Sequence, residues 1–179
     1  RFFQINEGIL SLEDLNQYKP RILKPVCGSY RLYLICSMAP PSSGGIALVQ
    51  ILNILENIDL RKLDHNSQEY LNLLISAMDY AYKDRAEYLG DPDYFKVPQD
   101  MLTSKKYADE IFKQIQEKKL PSKTDVNVFE GEETTHFSIV DKWGNAVSNT
   151  YTLNTAYGSG IIPTGTGILM NNEMDDFSS

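Results

Sequence analysis

TTHFSIVDKWGNAVSNTYTLN, residues 134–154, alternates polar and apolar side chains with a period of two on either side of a Lys-Trp-Gly-Asn break. Alternation of this kind belongs to strands with one buried face, and a Gly-containing break between two such runs marks a hairpin. THFSIVD (135–141) and AVSNTYTLN (146–154) are the two strands. A two-residue turn at Trp143-Gly144 would set Thr134 against Leu153 and His136 against Tyr151, mixing polar with apolar neighbours. A three-residue loop, Lys142-Trp143-Gly144 with Gly in the left-handed position, sets Asp141 against Asn145 instead. Thr134 then faces Thr152, His136 faces Thr150 and Ser138 faces Ser148, while Phe137, Ile139, Val147 and Tyr151 share the other face as a core face. A slip of one residue destroys that separation, so the three-residue loop is the expected register. It places Thr134 beside Thr152. On pattern alone such a pair is ordinary sheet chemistry, worth about 0.2–1 kcal/mol of cross-strand stability.

Outward from the hairpin, the upstream chain changes to helical periods. SLEDLNQY (11–18) reads as a short helix capped by Ser11, with acidic residues in its first turn. GSYRLYLICSM (28–38) reads as one extended stretch. APPSSGG (39–45) then bends the chain into a helix at about 44–57, capped by Ser42 or Ser43. A longer helix is expected over 66–89, with Leu71, Leu74, Met78, Ala81 and Tyr82 as its apolar stripe. GDPDYFKVP (90–98) ends it, an amphipathic helix follows at about 103–118, and residues 119–131 read as an exposed linker. After the hairpin, the Gly-rich YGSGIIPTGTG leads into ILMNN, a third strand candidate. Helices first and strands after give an α+β chain, with helices expected to cover the sheet.

Composition narrows the function. The 179 residues are 42% hydrophobic and 23% charged, enough for a packed core, and 17 Lys+Arg against 24 Asp+Glu give a net charge of -7. With no basic excess to displace counterions, nucleic acid is not an expected partner. No apolar run approaches the ~20 residues of a membrane span. Two cysteines, Cys27 and Cys36, rule out a disulfide scaffold or a cysteine-rich zinc site, and leave open either one bridge or two free thiols. His65 and His136 are too few for a histidine-built metal site. Nucleophile-elbow, P-loop, HExxH and EF-hand motifs are absent, and PPSSGG (40–45) lacks the lysine of a phosphate loop. Asp91/Asp93 and Asp175/Asp176 have ordinary readings as turn formers and solvated charges.

Three long segments carry a resemblance. APPSSGGIALVQILNILENIDL, YAYKDRAEYLGDPDYFKVP and ETTHFSIVDKWGNAVSNTYTLNTAYGSGIIPTGTGILMNNEMDDFS are similar to gamma-glutamyltranspeptidases, from about residue 11 to the C-terminus. The resemblance implies an N-terminal-nucleophile hydrolase, an αββα sandwich of which this chain is the central portion. It implies a precursor that cleaves itself at Glu133–Thr134. Residues 1–133 would then be the mostly helical C-terminal part of a large subunit, and 134–179 the strand-rich start of a small one. By the same resemblance Thr134 is the nucleophile, Thr152 hydrogen-bonds its hydroxyl, and Asn154, Glu173 and Asp176 bind the substrate's α-amino and α-carboxylate groups. Some members carry Gln where Glu173 stands.

The activity implied is hydrolysis or transfer of γ-glutamyl groups from glutathione and related compounds, through a γ-glutamyl-threonyl ester, to water, amino acids or dipeptides. A related acylase, a poly-γ-glutamate-cleaving enzyme and a non-catalytic folded fragment are the alternatives. No metal or organic cofactor is implied, and a periplasmic or secreted location is. Full-length relatives supply an arginine from upstream, and a serine pair and oxyanion glycines from downstream. The 179-residue chain, which opens at Arg1 without an initiator Met, is therefore expected to be a piece of something longer, uncleaved and inactive by itself.

Overall fold

The computed structural model describes residues 8–117 and 134–176. Among the described residues the order is α1 (Leu12–Gln17), β1 (Val26–Tyr30), β2 (Tyr33–Ser37), α2 (Gly44–Leu55), α3 (Gln68–Tyr88), α4 (Gln99–Leu102), α5 (Lys105–Gln116), β3 (Thr135–Val140) and β4 (Ala146–Tyr151). Short 3-10 turns occupy Leu60–Lys62 and Glu173–Asp176. The chain is α+β, and each sheet is an antiparallel pair, β1 with β2 and β3 with β4. The described residues group into two compact units, 21–117 and 8–20 with 134–176. The expected linker at 119–131 lies outside them.

The helical unit is built around α2. Ile46 and Val49 pack with Val26 and Leu102, and Ile54 and Leu55 pack with Leu73, Ala77, Tyr80, Ala108 and Ile111. The helices start where serines can satisfy their unpaired amides. Ser67 Oγ accepts from Tyr70 N–H and Ser104 Oγ from Tyr107 N–H, each at 3.2 Å. At α2 the N-cap is Ser43, whose side chain makes no capping bond, and Ser42 Oγ accepts from Gly44 N–H at 3.3 Å.

Two expectations are corrected here. The buried stripe of α3 is Leu73, Ala77, Tyr80, Ala81 and Asp84, while Leu71, Met78 and Tyr82 are exposed and Leu74 is only partly buried. Apolar residues cover most of this helix's circumference, so periodicity cannot choose a face; packing against α2 and α5 does. The extended stretch at 28–38 is a hairpin, β1 to β2, turning at Arg31-Leu32. Arg31 holds φ 53° there, and its N–H donates to Glu56 Oε1. No Gly or Asn signals that turn, which is why the sequence reads straight through it. The hairpin also decides the cysteines: Cys27 and Cys36 are cross-strand partners and form a disulfide. The short helix α4, just before α5, is a further element that the sequence does not announce.

In the other unit, α1 has a reciprocal cap: Asp14 N–H donates to Ser11 Oγ at 3.2 Å, and Ser11 N–H to Asp14 Oδ2 at 2.7 Å. The β3–β4 hairpin has the expected register. His136 pairs with Thr150, Ser138 with Ser148 and Ile139 with Val147, and Asp141 N–H closes the loop on Asn145 O at 2.9 Å. Gly144 takes φ 87°, the left-handed conformation that this loop requires. Asp141 Oδ1 accepts from both Trp143 N–H and Asn145 N–H at 2.9 Å, and bonds to Asn145 hold its carboxyl below the usual range.

Two expectations fail in this unit. The face bearing Phe137, Ile139, Val147 and Tyr151 is between 41% and 60% exposed, rather than covered as a core face. The helices that were to cover it spend their buried residues on the core of the helical unit. ILMNN is not a strand either. It is held by a few backbone bonds, Met170 N–H to Ile161 O at 3.0 Å, Ser159 N–H to Met170 O at 2.9 Å and Asn172 N–H to Leu153 O at 3.2 Å.

Candidate active site

The register that separates the two faces of the hairpin also assembles its polar end. Thr134 immediately precedes β3 and Thr152 immediately follows β4, each one residue beyond the last pair of the hairpin, Thr135 with Tyr151. Both are exposed. On the polar face, His136 joins the strands: Nδ1 lies 2.7 Å from Thr150 Oγ1, and Nε2 lies 3.1 Å from Ser148 Oγ and 3.3 Å from Ser138 Oγ. A row of hydroxyls organised by one imidazole therefore runs up to the two threonines.

The hydroxyl of Thr152 is turned along its own strand and not bonded to Thr134. Asn154 N–H donates to Thr152 Oγ1 at 2.9 Å, and the hydroxyl makes a long contact of 3.5 Å to Asn154 O. This small turn carries the chain into Asn154 at φ 78°, a conformation that asparagine tolerates better than most residues. Asn154 Nδ2 then donates to Asn172 O at 3.2 Å. Thr152, Asn154 and the segment before Glu173 are thus connected bond by bond.

Glu173 opens the 3-10 turn Glu173–Asp176, and its N–H donates to Asn171 Oδ1 at 3.0 Å. Asn154, Asn172 and Glu173 are half-buried. The backbone of Asp176 lies in the same turn, and Glu133 lies outside the described residues. Among the described residues, no group of three or more His, Cys, Asp or Glu side chains could hold a metal ion. Nor is any helix there long and apolar enough to cross a membrane.

Sequence reasoning singles out Asn154 and Glu173 but misses the residues between which they are held. Asn172 Oδ1 accepts from Thr155 N–H at 3.2 Å, and Asn172 Nδ2 donates to Asp175 Oδ2 at 2.9 Å. Thr155 Oγ1 also donates to Gly158 O at 2.7 Å. At Gly158, φ is 51° and a Cβ would lie 2.2 Å from Met170 O, so only glycine lets the two segments approach this closely. The available signal was two consecutive asparagines after a glycine-rich run, the composition of a turn fixed by its side chains.

Comparison with known proteins follows the same residues. The family model for gamma-glutamyltranspeptidase matches residues 1–179. A glutathione hydrolase proenzyme of Escherichia coli strain K12 is 50% identical over 181 residues, covering 98% of this chain and 31% of that protein. The crystal structure of Helicobacter pylori gamma-glutamyltranspeptidase superposes with TM-score 0.60 at 42% identity, covering 71% of this chain and 38% of that one. Cephalosporin acylase from Bacillus halodurans superposes with TM-score 0.73 at 27% identity, covering 98% of this chain and 31% of that one. The chain spans about a third of the length of such relatives.

Proposed function

The chain belongs to the gamma-glutamyltranspeptidase family, and we propose that it works within a longer precursor that cleaves γ-glutamyl bonds with Thr134 as nucleophile. The observation that supports this reading is the hairpin register, in which Thr134 and Thr152 flank the last pair, Thr135 with Tyr151, beside the hydroxyl row at His136. In the precursor, the Thr134 hydroxyl attacks the carbonyl of Glu133. The peptide nitrogen leaves as the α-amine of Thr134, and water hydrolyses the resulting ester. The new amine then serves as the base that a threonine hydroxyl otherwise lacks. In turnover it takes the hydroxyl proton as the oxygen attacks the γ-carbonyl. The proton passes to the departing amine, and a γ-glutamyl ester remains on Thr134. Water or the amine of an amino acid or dipeptide resolves it.

Asn154, Glu173 and Asp176 bind the α-amino and α-carboxylate groups of the donor, with glutathione as the representative substrate. Residues 1–133 and 134–179 part into large and small subunits at the cleavage. The cross-strand disulfide Cys27–Cys36 supports a periplasmic or secreted location, since such bonds persist in oxidising compartments. Thiol labelling of the exported protein without reductant is expected to leave both cysteines unmodified.

The test is release of p-nitroaniline from a γ-glutamyl anilide by the full-length protein. The parent is expected to turn it over and Thr134→Ala to release none; equal rates would sink the assignment. A second reading, an acylase, is favoured by the extent of the likeness to cephalosporin acylase, 98% of this chain at TM-score 0.73. Hydrolysis of an acyl-cephalosporin side chain in place of the γ-glutamyl anilide would select it.

A further inference from the structure

We propose that Asn172 is a positioning residue for the donor site, clamping the Asn154 amide and the turn bearing Glu173 and Asp176 into one rigid unit; the inference rests on the γ-glutamyl reading above. Its backbone and side chain both take part. Asn172 N–H donates to Leu153 O at 3.2 Å, and Asn172 O accepts from Asn154 Nδ2 at 3.2 Å and from Asp175 N–H at 3.1 Å. Oδ1 holds Thr155 through its N–H at 3.2 Å, and Nδ2 holds the Asp175 carboxylate at 2.9 Å. One residue therefore grips the chain immediately after Thr152 on one side and the 3-10 turn on the other.

The consequence for Asn154 is directional. Its bond to Asn172 O uses one of two Nδ2 hydrogens and fixes the plane of the amide. The remaining Nδ2 hydrogen and Oδ1 are left for the donor, one suited to a carboxylate and the other to an ammonium. The anchor on Asp175 sets the pitch of the turn in which Glu173 and Asp176 stand. Losing the clamp should loosen ground-state binding of the donor's amino-acid end while leaving the hydroxyl chemistry of Thr134 intact. That is a rise in KM without a matching fall in kcat.

The variant Asn172→Asp keeps an oxygen for Thr155 and turns the other donor into a second carboxylate against Asp175. In the full-length protein, KM for a γ-glutamyl anilide is expected to rise about tenfold, within the coupling seen for neighbours in one hydrogen-bond network. The double variant Asn172→Asp, Asp175→Asn exchanges donor and acceptor across the same 2.9 Å contact. It is expected to recover KM to within about threefold of the parent, a rescue that loss of folding alone would not show. If Asn172→Asp fails to mature, recovery of both maturation and KM by the double variant supports the clamp. An unchanged KM in Asn172→Asp, a fall confined to kcat, or a double variant no better than the single overturns the inference while the γ-glutamyl reading stands. A parent that turns over no γ-glutamyl donor overturns both.

Discussion

Thr134 owes its proposed role to one covalent detail: an internal threonine has a hydroxyl but no free α-amine. Once that amine exists its ordinary pKa is about 8, so kcat/KM is predicted to rise with pH through that range and level off above it. A pH profile of γ-glutamyl anilide turnover checks this, and a flat profile would argue for another base. Thr134→Ser should retain part of the turnover, since it keeps both groups. Thr152→Ala should lower kcat while leaving the thermal midpoint unchanged, because it removes a hydroxyl next to Thr134 and no buried side chain. The hairpin register is legible in the sequence because only one register sorts polar from apolar side chains. Asn172 is not, since a single asparagine in a turn-rich run has an ordinary reading, and its bonds to Thr155 and Asp175 depend on a chain path that spacing does not encode. The cysteine pairing stayed open for a related reason: it follows from a turn at Arg31 that has no glycine to mark it.

Among the elements, α2, α3 and α5 enclose a polar knot that stabilises their packing in a pH-dependent way. Gln50 Nε2 donates to Asp84 Oδ2, as does Tyr107 OH at 2.9 Å, and Gln50 and Asp84 are buried. Burial pushes the Asp84 carboxyl above its ordinary pKa, and the two hydrogen bonds pull it part of the way back. Above the unfolded pKa, the unfolded chain sheds this proton before the folded one does, so stability falls as pH rises through the raised value. Asp84→Asn removes that slope. Its stability relative to the parent should therefore grow from acid towards neutral pH, in urea unfolding followed at several pH values. Tyr107→Phe should cost about 1.5–3 kcal/mol at neutral pH, the worth of a hydrogen bond to a charged group, and less once Asp84 is protonated. Helix boundaries here were readable because serines cap them. The face that α3 buries was not, because its apolar residues surround the helix and only the neighbouring helices choose among them.

For the whole molecule, the α+β class and the family follow from long ordered motifs, whereas completeness of the site does not. The chain spans 31% of its Escherichia coli relative, and the apolar face of the β3–β4 hairpin is exposed. The isolated 179-residue chain is accordingly predicted to give no γ-glutamyl anilide turnover above background, while the full-length protein does. The central claim is that self-cleavage makes Thr134 an N-terminal nucleophile. Intact mass of the full-length protein after incubation at neutral pH tests it most directly, beside its Thr134→Ala variant. The account predicts two chains meeting between Glu133 and Thr134 in the parent, and one uncut chain in the variant. A parent that stays whole yet turns over substrate, or a cut at any other bond, would contradict it.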